Sequence, residues 1–286
     1  MPDSDNPTRT WFITGATSGF GLELARAVLE RGERAVLAGR RADRLSALAD
    51  RHSGRVLPIT VDLTDAAARA TAVAKGLSRF GRIDVLANIA GRGSLGAVEE
   101  FAPEQLREQM ELNFFAAAEL ARAVLPAMRR QGCGHILNLT SIGGLVSMGG
   151  FGPYCASKFA LEGWSEALHE EVAPLGIRVT IVEPGAFRTE FAGEANMRPA
   201  HPMAIYRPVV APLEDYLYGG DSKQMGDPAK AAALMFAVVD SEAPPLRLMM
   251  GADAFGMWDQ GIAARQADIS SWRERGLETA FDEVGG

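Results

Sequence analysis

The sequence has few of the residues that build disulfide frameworks or metal sites. Only two of its 286 residues are cysteine, Cys133 and Cys155, and such sparse use fits a reducing compartment better than a disulfide-stapled secreted fold. The four histidines show no ligand-like spacing among themselves or with the cysteines. We therefore expect neither disulfides nor a metal site.

Long apolar runs and runs of like charge are also missing. The first ten residues are polar, and the longest apolar stretches, such as residues 231–239, are far too short to span a bilayer. Lysine and arginine total 29 against 36 acidic residues, a net charge of -7 that does not favour nucleic acid. These absences predict a cytoplasmic protein that binds neither a membrane nor nucleic acid.

Short β-rich runs alternate with longer amphipathic ones along the chain. Strands are predicted at residues 11–14, 35–38, 56–61, 83–88, 135–141, 178–183 and 246–250, and helices at residues 22–31, 41–51, 66–80 and 228–239, among others. This order predicts an α/β fold, a Rossmann-type doubly wound parallel sheet of about seven strands with helices on both faces. We expect one domain over residues 1–286, with its core at about 10–250 and a C-terminal extension at about 252–286.

A glycine-rich loop follows the first predicted strand and opens the first helix. Its spacing is Gly-x3-Gly-x-Gly, and glycine lets the backbone turn tightly and approach a pyrophosphate at the positive end of a helix. This context predicts dinucleotide binding. The expected cofactor-binding residues of the loop are Gly15, Thr17, Ser18, Gly19, Phe20 and Gly21.

The end of the second predicted strand bears on the choice of cofactor. An acidic residue there would bind the ribose 2′-OH of NAD, but the sequence reads Gly39-Arg40-Arg41. Because a guanidinium can grip a phosphate with its planar fork, Arg40, with Arg41 beside it, favours NADP(H) over NAD(H). The alternative is a solvated arginine pair at a helix start.

Tyr154 and Lys158 are four residues apart, a spacing that places both side chains on one helix face. A tyrosine has an ordinary pKa near ~10, and a neighbouring ammonium favours the phenolate. We therefore expect Lys158 to lower the pKa of Tyr154 and so prepare it for proton transfer to or from an oxygen.

Together these motifs resemble the short-chain dehydrogenase/reductase family in its shorter single-domain branch, over roughly residues 10–250. Three further cofactor contacts are implied by the resemblance. The segment Asn88-Ile89-Ala90-Gly91 resembles the Asn-Asn-Ala-Gly segment that lines the adenosine ribose and braces the sheet, with Ile89 as a departure. Asp62, followed by Leu63, resembles the acidic residue beside the adenine; its alternative role is a helix cap or turn residue. The Pro-Gly-x3-Thr segment that backs the nicotinamide corresponds to Pro184, Gly185, Phe187 and Thr189.

The resemblance also implies four catalytic residues. Tyr154 would be the general acid in reduction and the general base in oxidation, and Ser141 would hydrogen-bond the substrate oxygen. Lys158 would lower the tyrosine pKa and bind the nicotinamide ribose, while Asn113 would support a proton relay. An asparagine in an alanine-rich helix can instead be an exposed or interhelical polar residue.

The expected function is NADP(H)-dependent interconversion of a ketone or aldehyde and an alcohol (EC 1.1.1.-). Residues 186–227, irregular and rich in aromatic side chains, are expected to form a lid over a bulky hydrophobic substrate, as in the hydroxysteroid and retinol dehydrogenase relatives that the motifs resemble. The resemblance further implies a homodimer or homotetramer. Two alternatives remain: a non-catalytic NADP-binding sensor or scaffold, and an isomerase or dehydratase that uses the same tyrosine.

Overall fold

A seven-stranded parallel sheet forms the centre of the computed structural model, which describes residues 8–192, 196–218 and 224–281. The strand order is β3-β2-β1-β4-β5-β6-β7 and every neighbouring pair is parallel. The strands are β1 (Thr10–Thr14), β2 (Arg34–Gly39), β3 (Val56–Thr60), β4 (Val85–Asn88), β5 (Gly134–Leu139), β6 (Ile177–Pro184) and β7 (Arg247–Met250). The predicted doubly wound fold is confirmed.

The composition of each strand matches its place in the sheet. β1 is central and completely buried, and its sequence is a continuous run without alternation. β3 lies at the edge of the sheet and is only partly buried. It contains Pro58, which has no backbone N–H to donate and is tolerated on an edge strand. The strand order reverses between β1 and β4, so their carboxyl ends open a crevice at the point where such folds bind ligands.

Helices cover both faces of the sheet. The helices are α1 (Gly19–Glu30), α2 (Ala42–Arg51), α3 (Ala66–Phe80), α4 (Pro103–Met110), α5 (Ala116–Gln131), α6 (Gly152–Val172), α7 (Arg207–Tyr218), α8 (Pro228–Asp240), α9 (Ala252–Ser271) and α10 (Arg273–Leu277). Buried residues of α1, α2 and α8 pack on one face, and those of α3, α5 and α6 pack on the other. Among the helices of the described ranges, none has the length and apolar character needed to cross a membrane.

Several predicted boundaries shift by a few residues. The prediction for α3 is confirmed at both ends, but α1 begins at Gly19 rather than at residue 22, because the glycine-rich loop itself starts the helix. β5 ends at Leu139, two residues before the predicted end, and β4 begins two residues later than predicted. Strand ends depend on neighbouring strands, which periodicity does not report.

The expected lid is less irregular than the sequence indicated. Within residues 186–227 the chain forms α7 and two short 3₁₀ turns, Glu190–Ala192 and Ala204–Tyr206. The sequence did not predict α7, because proline is disfavoured in the interior of a helix and Pro212 lies inside it. The expectation of an irregular segment throughout this range is therefore wrong.

The C-terminal extension is a long helix anchored at its start. Ala254 of α9 is fully buried, and Met257 and Trp258 pack against Ile142 and Leu145, which follow β5. Farther along, exposed apolar side chains such as Ile269 show that the end of α9 lies on the surface. The extension thus packs on its own domain next to the loop that carries Ser141.

Candidate functional site

The glycine-rich loop requires glycine at two points. Gly15 has φ +65°, in the left-handed region, and a Cβ there would lie 3.1 Å from the backbone of Ala90. At Gly21 a Cβ would collide with the carbonyl oxygen of Gly15. The first turn of α1 therefore packs directly against the end of β1. Without side chains at these positions, a ligand can come close to the backbone of the loop.

Thr14 joins this loop to the segment that follows β4. Its Oγ1 accepts hydrogen bonds from the backbone nitrogens of Ile89 (2.8 Å) and Ala90 (3.0 Å) and donates to the carbonyl of Ala87 (3.3 Å). The strand ends at the reversal of strand order are thus held together by a buried side chain. The two predicted cofactor segments form one surface.

The start of α1 faces this surface with backbone donors. Ser18 is the N-cap residue and its side chain makes no capping hydrogen bond within the described chain. The first N–H groups of a helix have no intrahelical partner, and the helix dipole favours an anion there. The free N–H groups at the start of α1, together with the close access that the glycines give to the backbone, fit a pyrophosphate.

An arginine pair borders the loop on the side of β2. Arg41 donates to the Thr17 hydroxyl (3.1 Å) and carbonyl (3.1 Å), and Arg44 donates to the same carbonyl (3.0 Å). Both guanidiniums also bind Glu190, at 2.8 Å from Arg41 and 2.9 Å from Arg44. Arg40 is exposed beside them. The arginines predicted at the end of β2, Arg40 and Arg41, therefore lie next to the glycine-rich loop, and Arg44 joins them. We call these three residues the arginine edge.

Asp62 lies in a turn after β3. Its Oδ1 accepts from the Thr64 nitrogen (2.9 Å) and hydroxyl (2.8 Å), and these bonds, with smaller contributions from Arg40 and Arg92, lower the pKa of the carboxyl. These contacts are those of a turn residue, one of the alternative roles considered for Asp62. The N-cap of α3 is Asp65, not Asp62. The side chain of Asp62 is exposed and that of Leu63 is buried, so an adenine contact of this pair remains a prediction.

Asn88 braces the sheet, as the sequence predicted. Its Nδ2 donates to the Ala117 carbonyl (3.1 Å) and to Asn138 Oδ1 (2.9 Å), and Asn138 in turn donates to Ser165 (2.8 Å). The buried amide thus ties β4 to β5 and α5. Its ribose contact remains a prediction.

Tyr154 and Ser141 meet behind the end of β5. Ser141 Oγ accepts from the Gly143 nitrogen (3.0 Å) and donates to the Pro184 carbonyl (3.4 Å), which fixes its orientation. The Tyr154 ring lies between Phe151 (5.9 Å between centroids) and Phe191 (5.6 Å). Burial raises the pKa of Tyr154 above its ordinary value, and a hydrogen bond with Ser141 opposes this rise.

Lys158 lies beside Tyr154, and burial is the largest effect on the pKa of both groups. The ammonium nitrogen is 5.8 Å from the centroid of the tyrosine ring and donates to the Leu139 carbonyl at 2.7 Å. Burial lowers the pKa of Lys158 to about 8, although the nearby carboxylate of Glu162 opposes this effect. The expectation that the pKa of Tyr154 lies below its ordinary value is therefore wrong, because burial disfavours the charged form and is the largest effect on both groups.

Asn113 lies in a π-helical turn, Glu111–Phe115, between α4 and α5. Its amide donates to the Arg92 carbonyl (2.9 Å) and to Ser157 Oγ (3.0 Å), and its oxygen accepts from the Arg92 nitrogen (3.0 Å). These contacts make it an interhelical polar residue, the alternative considered above. π turns frequently mark functional positions, and the relay role remains a prediction.

The predicted nicotinamide segment follows β6 and is held by the C-terminal extension. Asp253 at the start of α9 accepts from the Ala186 nitrogen (2.7 Å), and a Cβ at Gly185 would collide with the same carboxylate. Phe187 packs on Phe20 of α1, with 5.0 Å between ring centroids. The position of this segment thus depends on Asp253, which the sequence reading did not single out.

The expected lid contacts Tyr154 at its first turn. Phe191 touches Tyr154, the buried Asn196 accepts from the Gly93 nitrogen (2.9 Å), and Met197 bridges to Ser94. Farther along, Tyr206 donates to Glu99. The side chains of residues 216–218, which the sequence analysis placed in the lid, lie outside the described side chains.

Comparison with known proteins identifies the family. Residues 9–200 match the family described as short chain dehydrogenase. The chain belongs to this family. It is 34% identical to the oxidoreductase BOA17 of Botryotinia fuckeliana, over 96% of this chain and 100% of that protein. It is also 35% identical to the 3-ketodihydrosphingosine reductase of Bacteroides thetaiotaomicron, over 84% and 86% of the two chains.

Solved structures of the short-chain dehydrogenase family superpose on the whole fold. A short-chain dehydrogenase from Streptomyces avermitilis gives a TM-score of 0.90 at 41% identity and covers 96% of this chain and 100% of its own. A short-chain dehydrogenase from Burkholderia cenocepacia in complex with NADP gives 0.71 at 29% identity, over 92% and 97%. The protein is thus an oxidoreductase of this family, whose structural neighbours bind NADP and NAD.

Residues that the sequence analysis missed complete the site. Arg44 belongs to the arginine edge, Glu190 binds it, and Asp253 fixes the segment after β6. Glu183 and Glu162, both buried, share Arg247. Arg44 was weakly indicated by the sequence, because it follows Arg41 by three residues on a helix and so shares its face. The other residues are far from their partners in sequence and meet them only through tertiary contacts.

Proposed function

We propose that the protein is an NADP(H)-dependent oxidoreductase that interconverts a ketone or aldehyde and the corresponding alcohol. The observation that carries the proposal is the convergence of Ser141, Tyr154 and Lys158 at the carboxyl edge of the sheet, beside the glycine-rich loop. A proton donor and a nucleotide cradle in one crevice supply the two requirements of carbonyl reduction.

In the reductive direction, Ser141 and Tyr154 hold the carbonyl oxygen and Tyr154 transfers its proton to the developing alkoxide. Burial raises the pKa of Tyr154, so the side chain holds at neutral pH the proton that it would donate. When bound, the nicotinamide supplies the hydride. The Lys158 ammonium, fixed by the Leu139 carbonyl, stabilises the negative charge that Tyr154 acquires and would bind the nicotinamide ribose.

The preference for NADP(H) over NAD(H) follows from the arginine edge. Arg40, Arg41 and Arg44 surround the end of β2, where an acidic residue would be needed to bind the free ribose 2′-OH. Guanidiniums bind phosphate in a bidentate manner. The NADP complex of the Burkholderia cenocepacia relative supports this choice.

The substrate is proposed to be bulky and hydrophobic. Phe151 and Phe191 flank Tyr154, and Leu95 and Val210 complete the buried cluster around its ring. Apolar walls with a few polar groups are typical of sites for apolar ligands. The relative from Bacteroides thetaiotaomicron, which is named for the reduction of 3-ketodihydrosphingosine, supports this class.

Turnover with a ketone panel tests the proposal. NADPH and NADH oxidation would be followed at 340 nm with long-chain, cyclic, aromatic and short aliphatic ketones, and the alcohol product identified. We expect faster reaction with NADPH and with the bulky ketones. Tight NADPH binding without turnover on any ketone or aldehyde would support the sensor alternative, whereas product formation with no net change in NADPH would support an isomerase.

The assembly is proposed to be a homodimer or homotetramer through the helices that carry Asn113 and Tyr154. Phe115 and Phe159 of this region are 43% and 37% exposed, which leaves apolar surface for a second copy. Light scattering on the purified chain would distinguish these assemblies from a monomer. A single domain over residues 1–286 and a cytoplasmic location belong to the same proposal.

A further inference from the structure

Glu190 is bound by two guanidiniums at the border of the nucleotide crevice. Its Oε2 accepts from Arg41 at 2.8 Å and its Oε1 accepts from Arg44 at 2.9 Å, so each carboxylate oxygen has one arginine. The same arginines donate to Thr17 of the glycine-rich loop. Glu190 is thus an anion placed directly beside the predicted cofactor loop, on a segment that comes from the other side of the crevice.

This arrangement is what a phosphate group would use. Two guanidiniums that converge on one anion, next to a threonine hydroxyl, supply the donors that a phosphate monoester requires. The hydrogen bonds from Arg41 and then Arg44 lower the pKa of Glu190, which keeps it an anion at neutral pH. The carboxylate therefore occupies donors that the 2′-phosphate of NADP would otherwise engage.

We propose that Glu190 is a specificity-determining residue whose carboxylate competes with the 2′-phosphate of NADP for Arg41 and Arg44. The inference rests on the proposed function, because it takes the arginine edge as the 2′-phosphate site. NAD has no 2′-phosphate and leaves the arginine contacts of Glu190 intact. Glu190 thus lowers the selectivity for NADP that the three arginines alone would give.

The cost of displacing Glu190 is modest. Its side chain is 56% exposed and those of Arg41 and Arg44 are 37% and 43% exposed, so water screens both ion pairs. Exposed pairs of this kind contribute little each, and a phosphate dianion attracts two guanidiniums more strongly than a carboxylate does. Removal of the carboxylate should therefore tighten NADPH binding by about 3- to 10-fold.

The neighbours of Glu190 extend the effect along the crevice. Thr189 lies against the start of α1, where a Cβ at Gly19 would be 3.2 Å from it, and Phe191 packs on Tyr154 at 5.6 Å. Thr189 and Phe191 are the immediate chain neighbours of Glu190 on either side. Displacement of Glu190 by the phosphate therefore acts on the chain that covers Tyr154.

Calorimetric titration of the full-length protein with NADPH and with NADH tests the inference. The variants are Glu190→Gln, which keeps the size of the side chain, and Glu104→Gln, which removes the same charge from an exposed pair with Arg107 on α4. We expect E190Q to bind NADPH about 3- to 10-fold more tightly, with NADH affinity changed by less than about 2-fold. The E104Q control should match the wild type with both cofactors.

Three results would overturn the inference. E190Q could bind NADPH more weakly, could bind it with unchanged affinity, or could gain equally for both cofactors. Titration of Arg41→Ala separates this failure from failure of the cofactor proposal. If R41A loses NADPH affinity while E190Q is unchanged, only the competition is wrong. If the wild type shows no preference for NADPH and R41A changes nothing, the NADP assignment fails as well.

Discussion

The ammonium nitrogen of Lys158 lies 5.8 Å from the centroid of the Tyr154 ring, and both side chains are almost completely buried. Burial disfavours the charged form of each group, so it raises the pKa of the tyrosine and lowers that of the lysine. The phenol keeps its proton at neutral pH, while the ammonium is close to its titration point. The two groups therefore predict different pH limits for the reaction.

The rate of ketone reduction should fall as the pH rises through about 8, the pKa to which burial lowers Lys158. The lysine is charged below this value and neutral above it, so the positive charge that supports Tyr154 is lost with rising pH. The measurement is kcat/KM for a ketone against pH at saturating NADPH. The Lys158→Met variant should show a low and flat profile over the same range.

A wild-type profile that stays level to pH 10 would contradict the titration of Lys158 near 8. If kcat/KM of Lys158→Met fell over the same pH range, a group other than Lys158 would be responsible for the fall. In the oxidative direction the tyrosine must lose its proton, so we expect that rate to rise with pH instead.

Gly21→Ala should abolish nucleotide binding, because the added Cβ collides with the carbonyl oxygen of Gly15 and pushes α1 away from the loop. A loss of at least about 2 kcal/mol in unfolding free energy is expected as well. The matched control is Gly163→Ala on α6, where a Cβ meets nothing within 4 Å. That change should stabilise the protein by about 0.5–1 kcal/mol. Urea unfolding and NADPH titration measure both, and normal NADPH affinity in G21A would refute the close-approach argument.

Acid should destabilise the fold through His135. This side chain is buried in β5, its Nε2 lies 2.9 Å from Thr180 Oγ1, and burial lowers its pKa to about 4. Between pH 6.5 and pH 4 the unfolded chain binds a proton that the folded chain does not, so stability falls as the pH falls. The contribution of His135 to this loss is about 3 kcal/mol when the pH drops from 7 to 4.

Urea unfolding of the wild type and His135→Asn at pH 7.5 and 5 isolates this contribution. The variant is expected to lose less stability than the wild type between the two pH values, whatever its absolute stability. Equal losses in both proteins would show that His135 already binds a proton in the folded state. Burial raises the pKa of Glu183 to about 7, so Glu183 stabilises the fold as the pH falls, opposite to the effect of His135. Because both proteins contain Glu183, this effect cancels in the comparison.

Phe191→Ala should discriminate between substrates. The ring lies 5.6 Å from that of Tyr154, so its removal takes apolar surface from the proposed pocket. We expect kcat/KM for bulky hydrophobic ketones to fall by about 10-fold and that for a short aliphatic ketone to change little. Equal losses for all ketones would indicate that Phe191 positions Tyr154 rather than the substrate.

Much of the fold was predictable because its signals are local. The strand runs and the Gly-x3-Gly-x-Gly loop depend on residues close in sequence, and they gave the sheet and its loop to within a few residues. The structure also places Ser141, Tyr154 and Lys158 together, since each follows or faces the end of β5. Their roles in catalysis remain predictions.

The remaining features depend on contacts that sequence spacing does not encode. The carboxylate of Glu190 meets Arg41 across 149 residues, and Asp253 meets Ala186 across 67. The pKa of Tyr154 was predicted with the wrong sign because burial is the largest effect on it, and Phe151 and Phe191, which pack against its ring, come together with it only in the fold. The helix α7 was missed because proline lowered its predicted helicity.

Turnover by Tyr154→Phe tests the central claim most directly, with Tyr206→Phe as control. Each change removes one phenolic oxygen, and the oxygen of Tyr206 donates to the carboxylate of Glu99. We expect Y154F to lose about 10²- to 10⁴-fold in the rate of NADPH oxidation with a bulky ketone, while its NADPH affinity stays normal. Y206F should keep most of its activity. Undiminished ketone reduction by Y154F would contradict the assignment of Tyr154 as the proton donor.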